Sequence, residues 1–286
     1  MNPIFVLLAD GNAFFAGIAL ALLSESFRKT ENRLAGSLSR IAGCIGIALA
    51  VASSTPLPLW IYVIWLGCWG LSFFSPRTWK PGRYATILFV FSSFCLMAAE
   101  ARFRVSPQIP IADQEPIFVL GDSISAGMGT KERVWPLVLG DISHLNVTNL
   151  AQPGATVIDA AKQAKEINAA KGLVIIEIGG NDMFGDLPSA EFARRLDSLL
   201  GSLSAAGEQI AMFELPLLPF HHGYAIAQRT LAAKYNTFLI PKSCLANVIK
   251  QPDDTLDGLH LSQKGHNALA KSVLALLSEA PMSQVR

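Results

Sequence analysis

Four long apolar stretches in the first hundred residues constrain the folding of this chain more than any other feature. A helix that spans a bilayer needs roughly 17–25 predominantly apolar residues. The stretches cover residues 4–23, 41–56, 57–75 and 84–99. We therefore predict that residues 1–104 form a bundle of about four transmembrane helices, with the acidic residue Asp10 inside the first of them.

Charge and composition change at the end of this region. Residues 1–104 hold nine Lys and Arg against four Asp and Glu, whereas residues 105–286 hold fourteen against eighteen. Over the whole chain 16% of residues are charged, below the roughly 25% of soluble domains, and the mean hydropathy is +0.38. These values exclude a disordered or nucleic-acid-coating protein. They predict a membrane region over 1–104, a linker over 105–115 and a separate domain over 116–286.

The connections between the predicted spans orient the chain, because cytoplasmic loops carry an excess of Lys and Arg. The first and third connections are basic, and the second is uncharged. The residues concerned are Arg28, Lys29, Arg33 and Arg40, then Arg77, Lys80 and Arg83, against the uncharged segment 53–56. We expect a multi-pass protein of the cytoplasmic (inner) membrane with the domain over 116–286 on the outer, periplasmic side. No basic residue precedes Arg28, so a cleavable signal peptide is not predicted.

The remainder of the chain alternates short apolar runs with helical stretches. The runs with strand character cover residues 117–120, 145–150, 173–178, 209–213 and 237–240. Helical spacing appears over residues 161–170, 192–203, 224–235 and 262–277. Strands that alternate with helices are typical of a parallel sheet covered by helices on both faces. In such α/β folds the active groups gather at the carboxyl ends of the strands.

Four short motifs lie at these predicted strand ends. They are Gly121-Asp122-Ser123, Gln152-Pro153-Gly154, Gly179-Gly180-Asn181-Asp182 and Asp257-Gly258-Leu259-His260. A serine hydroxyl becomes a good nucleophile when a base takes its proton, and His260 is the candidate base for Ser123. Asp257 can fix the tautomer of that imidazole. The backbone N–H groups of Ser123 and Gly154 and the side-chain amide of Asn181 are candidate donors to the oxyanion of a tetrahedral intermediate.

With these motifs, residues 116–280 resemble the GDSL, or SGNH, family of serine esterases and lipases. The resemblance is closest to the bacterial lysophospholipase and thioesterase branch, where a Trp-Pro pair such as Trp135-Pro136 follows the first motif. It implies a flavodoxin-like three-layer α/β/α SGNH-hydrolase domain. It also implies an acyl hydrolase with a triad of Ser123, His260 and Asp257 and an oxyanion hole of Ser123, Gly154 and Asn181.

The sequence predicts neither a cofactor nor a metal. It contains no Cys and His grouping with zinc-ligand spacing, and no glycine-rich loop followed by Lys-Ser or Lys-Thr. The apolar loop 215–222, with Met183 and Phe184, is a candidate lining for an acyl pocket.

Three functions stay open at this point. The first is hydrolysis of O-acyl esters in a small molecule, a lipid or an O-acetylated envelope or exported glycan. The second is O-acyl transfer from the same acyl-enzyme to a sugar hydroxyl. The third is a non-catalytic membrane scaffold. In each case the membrane is a partner of the chain, and nucleic acid is not expected to be one.

Overall fold

The computed structural model describes residues 3–27, 33–76, 79–112, 115–129, 131–167, 171–216 and 219–279. The chain divides into two compact units. The first contains Ile4–Arg104 and Leu217–His222, and the second contains Met1–Pro3, Val105–Pro216 and Gly223–Arg286.

Five helices make up most of the described part of the first unit. They are α1 (Pro3–Ala9), α2 (Asn12–Phe27), α3 (Arg33–Ala52), α4 (Leu59–Phe74) and α5 (Lys80–Ala101), followed by a 3₁₀ turn (Arg102–Arg104). The first predicted span is divided between α1 and α2, because Gly11 adopts a positive φ of 79°. The buried carboxylate of Asp10 accepts a hydrogen bond from the backbone N–H of Asn12 at 2.8 Å. Asp10 therefore satisfies an N–H group that the start of α2 leaves without a helical acceptor.

Two helical segments among the described residues have the length and apolar character of a membrane span, Leu34–Ala52 and Lys80–Arg104. The helices α2 and α4 are apolar but shorter. Buried helices of soluble proteins and signal sequences pass the same test of length and composition. The sequence pattern predicted short second and fourth spans that start at Ile41 and Tyr84. Both helices begin earlier in the structure, because Lys and Arg favour helix and extend them.

The predicted orientation depends on connections that are only partly described. Three of its basic residues lie outside the described residues: Arg28, Lys29 and Arg77.

The helices of the first unit pack through small residues and buried hydrogen bonds. A Cβ added at Gly46 of α3 would lie 2.6 Å from the carbonyl oxygen of Gly17 in α2. Glycine therefore allows these two backbones to approach closely. Trp65 Nε1 of α4 donates to Ser93 Oγ of α5 at 2.9 Å, and the Trp65 ring packs on Phe89. Both features are typical of helix packing in membranes.

The second unit contains the predicted alternation of strands and helices. Its elements are β1 (Ile109–Ile111), β2 (Ile117–Gly121), α6 (Ser123–Ala126), α7 (Trp135–Ser143), β3 (Val147–Asn149), α8 (Val157–Gln163), β4 (Leu173–Glu177), α9 (Gly180–Phe184), α10 (Ser189–Ala206), β5 (Gln209–Phe213), α11 (His222–Lys234), β6 (Phe238–Ile240), α12 (Lys242–Ile249), α13 (Gln263–Leu274) and β7 (Leu277–Glu279). The five predicted strands are confirmed as β2 to β6. The helices α6, α7, α9 and α12 were not predicted.

The strands β2 to β6 form one parallel sheet in the order β3-β2-β4-β5-β6. Ile117 of β2 is in register with Val147 of β3 and with Leu173 of β4. Counted along the chain within this sheet, the order is the 2-1-3-4-5 of flavodoxin-like folds, which confirms the α/β class predicted for this part of the chain. The order reverses between β2 and β4. In open α/β sheets, ligands bind beyond the carboxyl ends of the strands at such a switch point.

Alternate residues of the strands face opposite helix layers. Val119 and Ile175 belong to one core cluster with Trp135 of α7 and Leu269 of α13. The intervening residues, such as Val174, point to the other face of the sheet, where α8 packs against β2 and α10 against β5. The sheet and its two helix layers therefore form the three layers that were expected.

A second, two-stranded parallel sheet was not predicted. Ile109–Ile111 pairs with Leu277–Glu279, so β1 lies inside the segment expected to be a linker. The last helix was expected to reach residue 277, but it ends at Leu274. The helix predicted over 161–170 is replaced by the end of α8 and a 3₁₀ turn over Ala164–Glu166, and residues 168–170 lie outside the described residues.

Candidate active site

Ser123 follows the end of β2 at the switch point of the sheet. It is the first residue of α6, and Asp122 caps this short helix by accepting a hydrogen bond at Oδ1 from the backbone N–H of Ile124 at 3.0 Å. The backbone N–H groups of Ser125 and Ala126 donate to the carbonyl oxygen of Asp122. Ser123 is half-buried, whereas Asp122, Ile124 and Ser125 are buried. Hydrogen bonds among buried residues therefore hold the turn in place, and Ser123 is its more accessible residue.

Asn181 follows β4, the strand next to β2. Gly179, between β4 and Asn181, has a positive φ of 113°, which favours glycine. A Cβ at Gly179 would also lie 2.9 Å from the side chains of Phe192 and Leu215. Asn181 Nδ2 donates to Asp122 Oδ2 at 3.1 Å and to the carbonyl oxygen of Ala155 at 3.0 Å. One amide thus connects the loops that carry the first three predicted motifs.

Gly154 lies one residue before this carbonyl, in the loop that follows β3. Its φ is 77°, a left-handed conformation that favours glycine, and the space where a Cβ would lie is open to a distance of 4 Å. The structure therefore brings Asn181 next to the Gly154 loop and leaves room beside Gly154. Both hydrogens of the Asn181 amide already have acceptors, so a substrate oxyanion would have to replace one of them.

Asp257 and His260 lie together in the loop between α12 and α13. Asp257 Oδ2 is 2.6 Å from His260 Nδ1, and Asp257 Oδ1 accepts the backbone N–H groups of His260 at 2.9 Å and Leu259 at 3.0 Å. The hydrogen bond with the imidazole, followed by the two backbone donors, lowers the pKa of Asp257 to about 2. Asp257 is therefore an anion over the physiological pH range, and it holds the imidazole by one nitrogen.

The structure relates His260 to Ser123 less directly. Within the described part of the chain, no hydrogen bond joins Ser123 Oγ to the His260 imidazole. The imidazole is close enough to act electrostatically on Asp122, the residue before Ser123. Burial raises the pKa of Asp122, whereas the Ile124 N–H, the Glu177 side chain and the charge of His260 lower it. Catalytic hydrogen bonds are often long in enzymes without substrate.

The sequence interpretation missed the buried groups beneath the motifs. Glu177, the last residue of β4, accepts a hydrogen bond from Ser125 Oγ at 3.0 Å, and Trp135 Nε1 donates to the same Ser125 Oγ at 3.1 Å. Gln163 Nε2 donates to the carbonyl oxygen of Gly121, and Gln163 Oε1 accepts the Gly121 N–H, both at 3.0 Å. An acidic residue at the end of the apolar run 173–176 was the available signal for Glu177.

The candidate lining of an acyl pocket is only partly supported. Met183 and Leu215 are each 4% exposed and belong to the interior, whereas Phe184 is 56% exposed. Residues 217 and 218 of the predicted lining loop lie outside the described residues. Across the described ranges, no three His, Cys, Asp or Glu side chains are grouped so that they could hold a metal ion.

The flavodoxin-like sheet, with a Gly-Asp-Ser turn and a Gly-Gly-Asn-Asp turn at its switch point, is characteristic of SGNH hydrolases. Residues 119–268 match the GDSL-like Lipase/Acylhydrolase family, and the chain belongs to this family. It is a carboxylic ester hydrolase of the GDSL/SGNH type.

Similar proteins are esterases or share this fold. An arylesterase from Vibrio mimicus is 27% identical over 196 residues, which are 63% of this chain and 91% of that protein. The crystal structure of TesA is 24% identical with a TM-score of 0.50, and the match covers 57% of this chain and 97% of TesA. The psychrotrophic esterase EstA from Pseudoalteromonas sp. is 19% identical with a TM-score of 0.49, covering 56% and 95%.

Proposed function

We propose that this chain is a membrane-anchored serine esterase that cleaves O-acyl esters through a triad of Ser123, His260 and Asp257. The observation that carries the proposal is the hydrogen bond of 2.6 Å between Asp257 and His260. The charge of His260 also lowers the pKa of Asp122, the residue before Ser123. A histidine held by a carboxylate at Nδ1 keeps Nε2 available as the base for a serine hydroxyl.

In the proposed reaction, Ser123 Oγ attacks the ester carbonyl carbon while His260 Nε2 takes the hydroxyl proton. The carbonyl electron pair moves to oxygen, and Asp257 stabilises the imidazolium that forms. The alcohol leaves with the proton from His260, and Ser123 retains the acyl group. Water then gives a proton to His260 and attacks the acyl carbon, after which the carboxylic acid leaves and Ser123 regains its proton.

The oxyanion hole is assigned to Ser123, Gly154 and Asn181. The backbone N–H of Ser123 belongs to the first turn of α6, where helical N–H groups have no acceptor within the helix. The side of Gly154 without a Cβ is open. Asn181 would keep its hydrogen bond to Asp122 and exchange the carbonyl of Ala155 for the substrate oxyanion. This exchange supplies a hydrogen bond in the transition state rather than in the free enzyme, which favours catalysis.

Replacing Asn181 with alanine is expected to lower kcat by about 10²–10³, because one oxyanion donor is lost. The measurement is steady-state hydrolysis of a p-nitrophenyl ester, with KM expected to change much less than kcat. Asn247→Ala is the matched control, since Asn247 is exposed on α12 and accepts a hydrogen bond from Lys250. An unchanged kcat in Asn181→Ala would remove Asn181 from the oxyanion hole.

The side chains near the proposed triad favour an apolar ester over an acetylated glycan. Several large apolar residues close in sequence to the catalytic candidates are exposed: Met128 49%, Phe184 56%, Leu256 51% and Leu259 37%. Leu256 precedes Asp257, and Leu259 precedes His260. Apolar side chains left exposed beside catalytic residues can contact the apolar part of a substrate. We therefore propose a lipid-like acyl ester as the substrate class.

A fluorophosphonate probe and an ester panel test these assignments. The probe should label the purified wild-type protein and the Ser202→Ala control, which changes an exposed serine of α10, but not Ser123→Ala. In the panel, p-nitrophenyl esters of long acyl chains and lysophospholipid should be cleaved faster than p-nitrophenyl acetate. Preference for acetate would contradict the lipid-like substrate and point to acetylated glycans. Labelling that persists in Ser123→Ala would contradict the nucleophile.

We propose that residues 1–104 anchor the chain in the cytoplasmic membrane through four helices, that 105–115 connect them to the esterase and that 116–286 form a periplasmic domain. The membrane anchor is supported by the apolar surface of the helices, because exposing a large apolar surface to water costs free energy. Large apolar side chains on these helices that are more than half exposed include Leu34, Leu38, Ile41, Leu59, Trp60, Val63, Ile64, Leu71, Phe74, Tyr84, Ile87, Leu88, Phe91 and Phe94.

Alkaline phosphatase fusions test this topology, because the phosphatase is active only after export. A fusion after residue 286 should be active in cells, and a fusion placed in the first connection, after residue 30, should be inactive. Equal expression of both fusions is checked by immunoblot. An inactive but well-expressed fusion after residue 286 would contradict the periplasmic assignment.

A further inference from the structure

Glu177 is a buried acidic residue that the proposed reaction does not use. It is 2% exposed, and its backbone pairs with Gly121 across the β2–β4 switch point. Its carboxyl group lies within hydrogen-bonding reach of the carboxyl group of Asp122. Two adjacent buried carboxyl groups cannot both ionise at low cost, so one of them retains a proton near neutral pH.

The hydrogen bonds around the pair indicate which carboxyl group is ionised. Both oxygens of Asp122 accept N–H groups, Oδ1 from Ile124 and Oδ2 from Asn181. Glu177 accepts an O–H group from Ser125, whose oxygen in turn accepts the Trp135 N–H. Two N–H donors stabilise the anionic form of Asp122. The Glu177 side chain accepts only one N–H group among the described residues, the backbone N–H of Asp122, besides the Ser125 O–H.

We propose that Glu177 is a protonated positioning residue that donates a hydrogen bond to Asp122 and thereby holds the Asn181 amide at the oxyanion hole. The inference rests on the proposed function, because it assigns Glu177 a part in the same site. Asp122 then carries one negative charge with three donors around it: Glu177, Ile124 and Asn181. If Glu177 lost its proton, repulsion between the two carboxylates would displace Asp122 and, with it, the Asn181 amide.

The charges around the pair agree with this arrangement. Burial, and then the charge of Asp122, raises the pKa of Glu177 well above its ordinary value. Asp122 is the charged group that faces Glu177 among the described residues. The neutral donors to Glu177 are the Ser125 O–H and the backbone N–H of Asp122, and Trp135 donates to Ser125. The charges of His260 and Asp182 act on Asp122 in opposite directions.

Two substitutions separate the proton from the packing. Glu177→Gln supplies an amide donor to Asp122 and an acceptor for Ser125, so kcat is expected to stay within about tenfold of wild type. Glu177→Leu fills a similar volume without a donor, and kcat should fall by about 10²–10³ with little change in KM, as for a displaced oxyanion donor. Glu214→Gln is the control, because Glu214 is fully buried but paired with Arg229 at 2.7 Å.

Stability against pH gives a readout that packing alone would not change. Unfolded Glu has a pKa of about 4.3, so above this pH the unfolded chain releases the proton that folded Glu177 keeps. Wild type should therefore lose stability relative to Glu177→Gln as pH rises. The ratio of their unfolding constants should change about tenfold per pH unit until folded Glu177 ionises. The ratio of the unfolding constants of wild type and Glu214→Gln should not change in this way, because both proteins keep Glu177.

Infrared difference spectra of the purified full-length protein complete the test. The carbonyl band of a protonated carboxylic acid should be present at neutral pH in wild type and Glu214→Gln, and absent in Glu177→Gln. Absence of this band from wild type, or equal loss of kcat in Glu177→Gln and Glu177→Leu, would overturn the proposal. Failure of the proposed function is distinguishable, because it would abolish fluorophosphonate labelling of Ser123 and leave the infrared band in place.

Discussion

Replacing Ser123 with alanine is expected to lower kcat for ester hydrolysis by at least about 10⁴-fold, with little change in folding. In the proposed reaction this hydroxyl forms the covalent bond to the acyl group, so the substitution removes the nucleophile. Loss of the nucleophile in a serine hydrolase typically leaves only the catalysis that comes from binding and from the oxyanion hole. The measurement is steady-state hydrolysis of the preferred ester from the panel.

The structural cost of this substitution should be small. Ser123 makes no side-chain hydrogen bond to the residues that fix the turn among the described contacts, and the helix cap is formed by Asp122. Alanine is also a good helix former. The midpoint of thermal unfolding of Ser123→Ala should therefore agree with that of Ser202→Ala. Retention of more than a tenth of the wild-type kcat would contradict the proposed nucleophile.

Replacing Asp257 with asparagine is expected to lower kcat by roughly 10⁴, although the two side chains have the same shape. Asn Oδ1 can still accept the backbone N–H groups of Leu259 and His260. The Asn NH₂ group would then donate to His260 Nδ1. In the wild-type protein this nitrogen is instead the donor, and the Asp257 carboxylate accepts its hydrogen bond at 2.6 Å. The imidazole would carry its proton on Nε2, and this nitrogen could no longer take the proton of Ser123.

Asp253→Asn is the matched control for Asp257→Asn. Asp253 lies in the same loop, is exposed and has a φ of 66°, a conformation that asparagine tolerates. This control removes the same charge from the loop without changing the hydrogen bond to His260, so its kcat should stay close to that of wild type. Equal effects of the two substitutions would show that loop charge, rather than the imidazole tautomer, is what matters.

The strands of the catalytic sheet and the turns after them were predictable because their signals are local. The run 173–178 is apolar apart from Glu177 and rich in β-branched residues, and the glycines after it end the strand. The short helices were harder to predict. α7 begins at Trp135-Pro136 and extends only to Ser143, too short for a helical period to be distinguished from a buried strand.

The apolar N-terminal region shows the same limit. Apolar composition identified the helices α2 to α5. The predicted segments, however, excluded the charged residues at their starts, so α3 and α5 were predicted to be shorter than they are. The pairing of β1 with β7 joins residues that are more than 160 positions apart in the chain, so no local pattern could indicate it.

By itself, the sequence determined the α/β class, the serine, asparagine and Asp-His motifs and the apolar N-terminal region, since each depends on residue type and spacing within one segment. Only the tertiary structure decided that β2 and β4 are neighbours and that Glu177 faces Asp122. It also decided that Asn181 donates both amide hydrogens, one to Asp122 and one to the carbonyl oxygen of Ala155. These relations depend on strand order and register, which bring side chains from distant segments together through contacts that no single segment encodes.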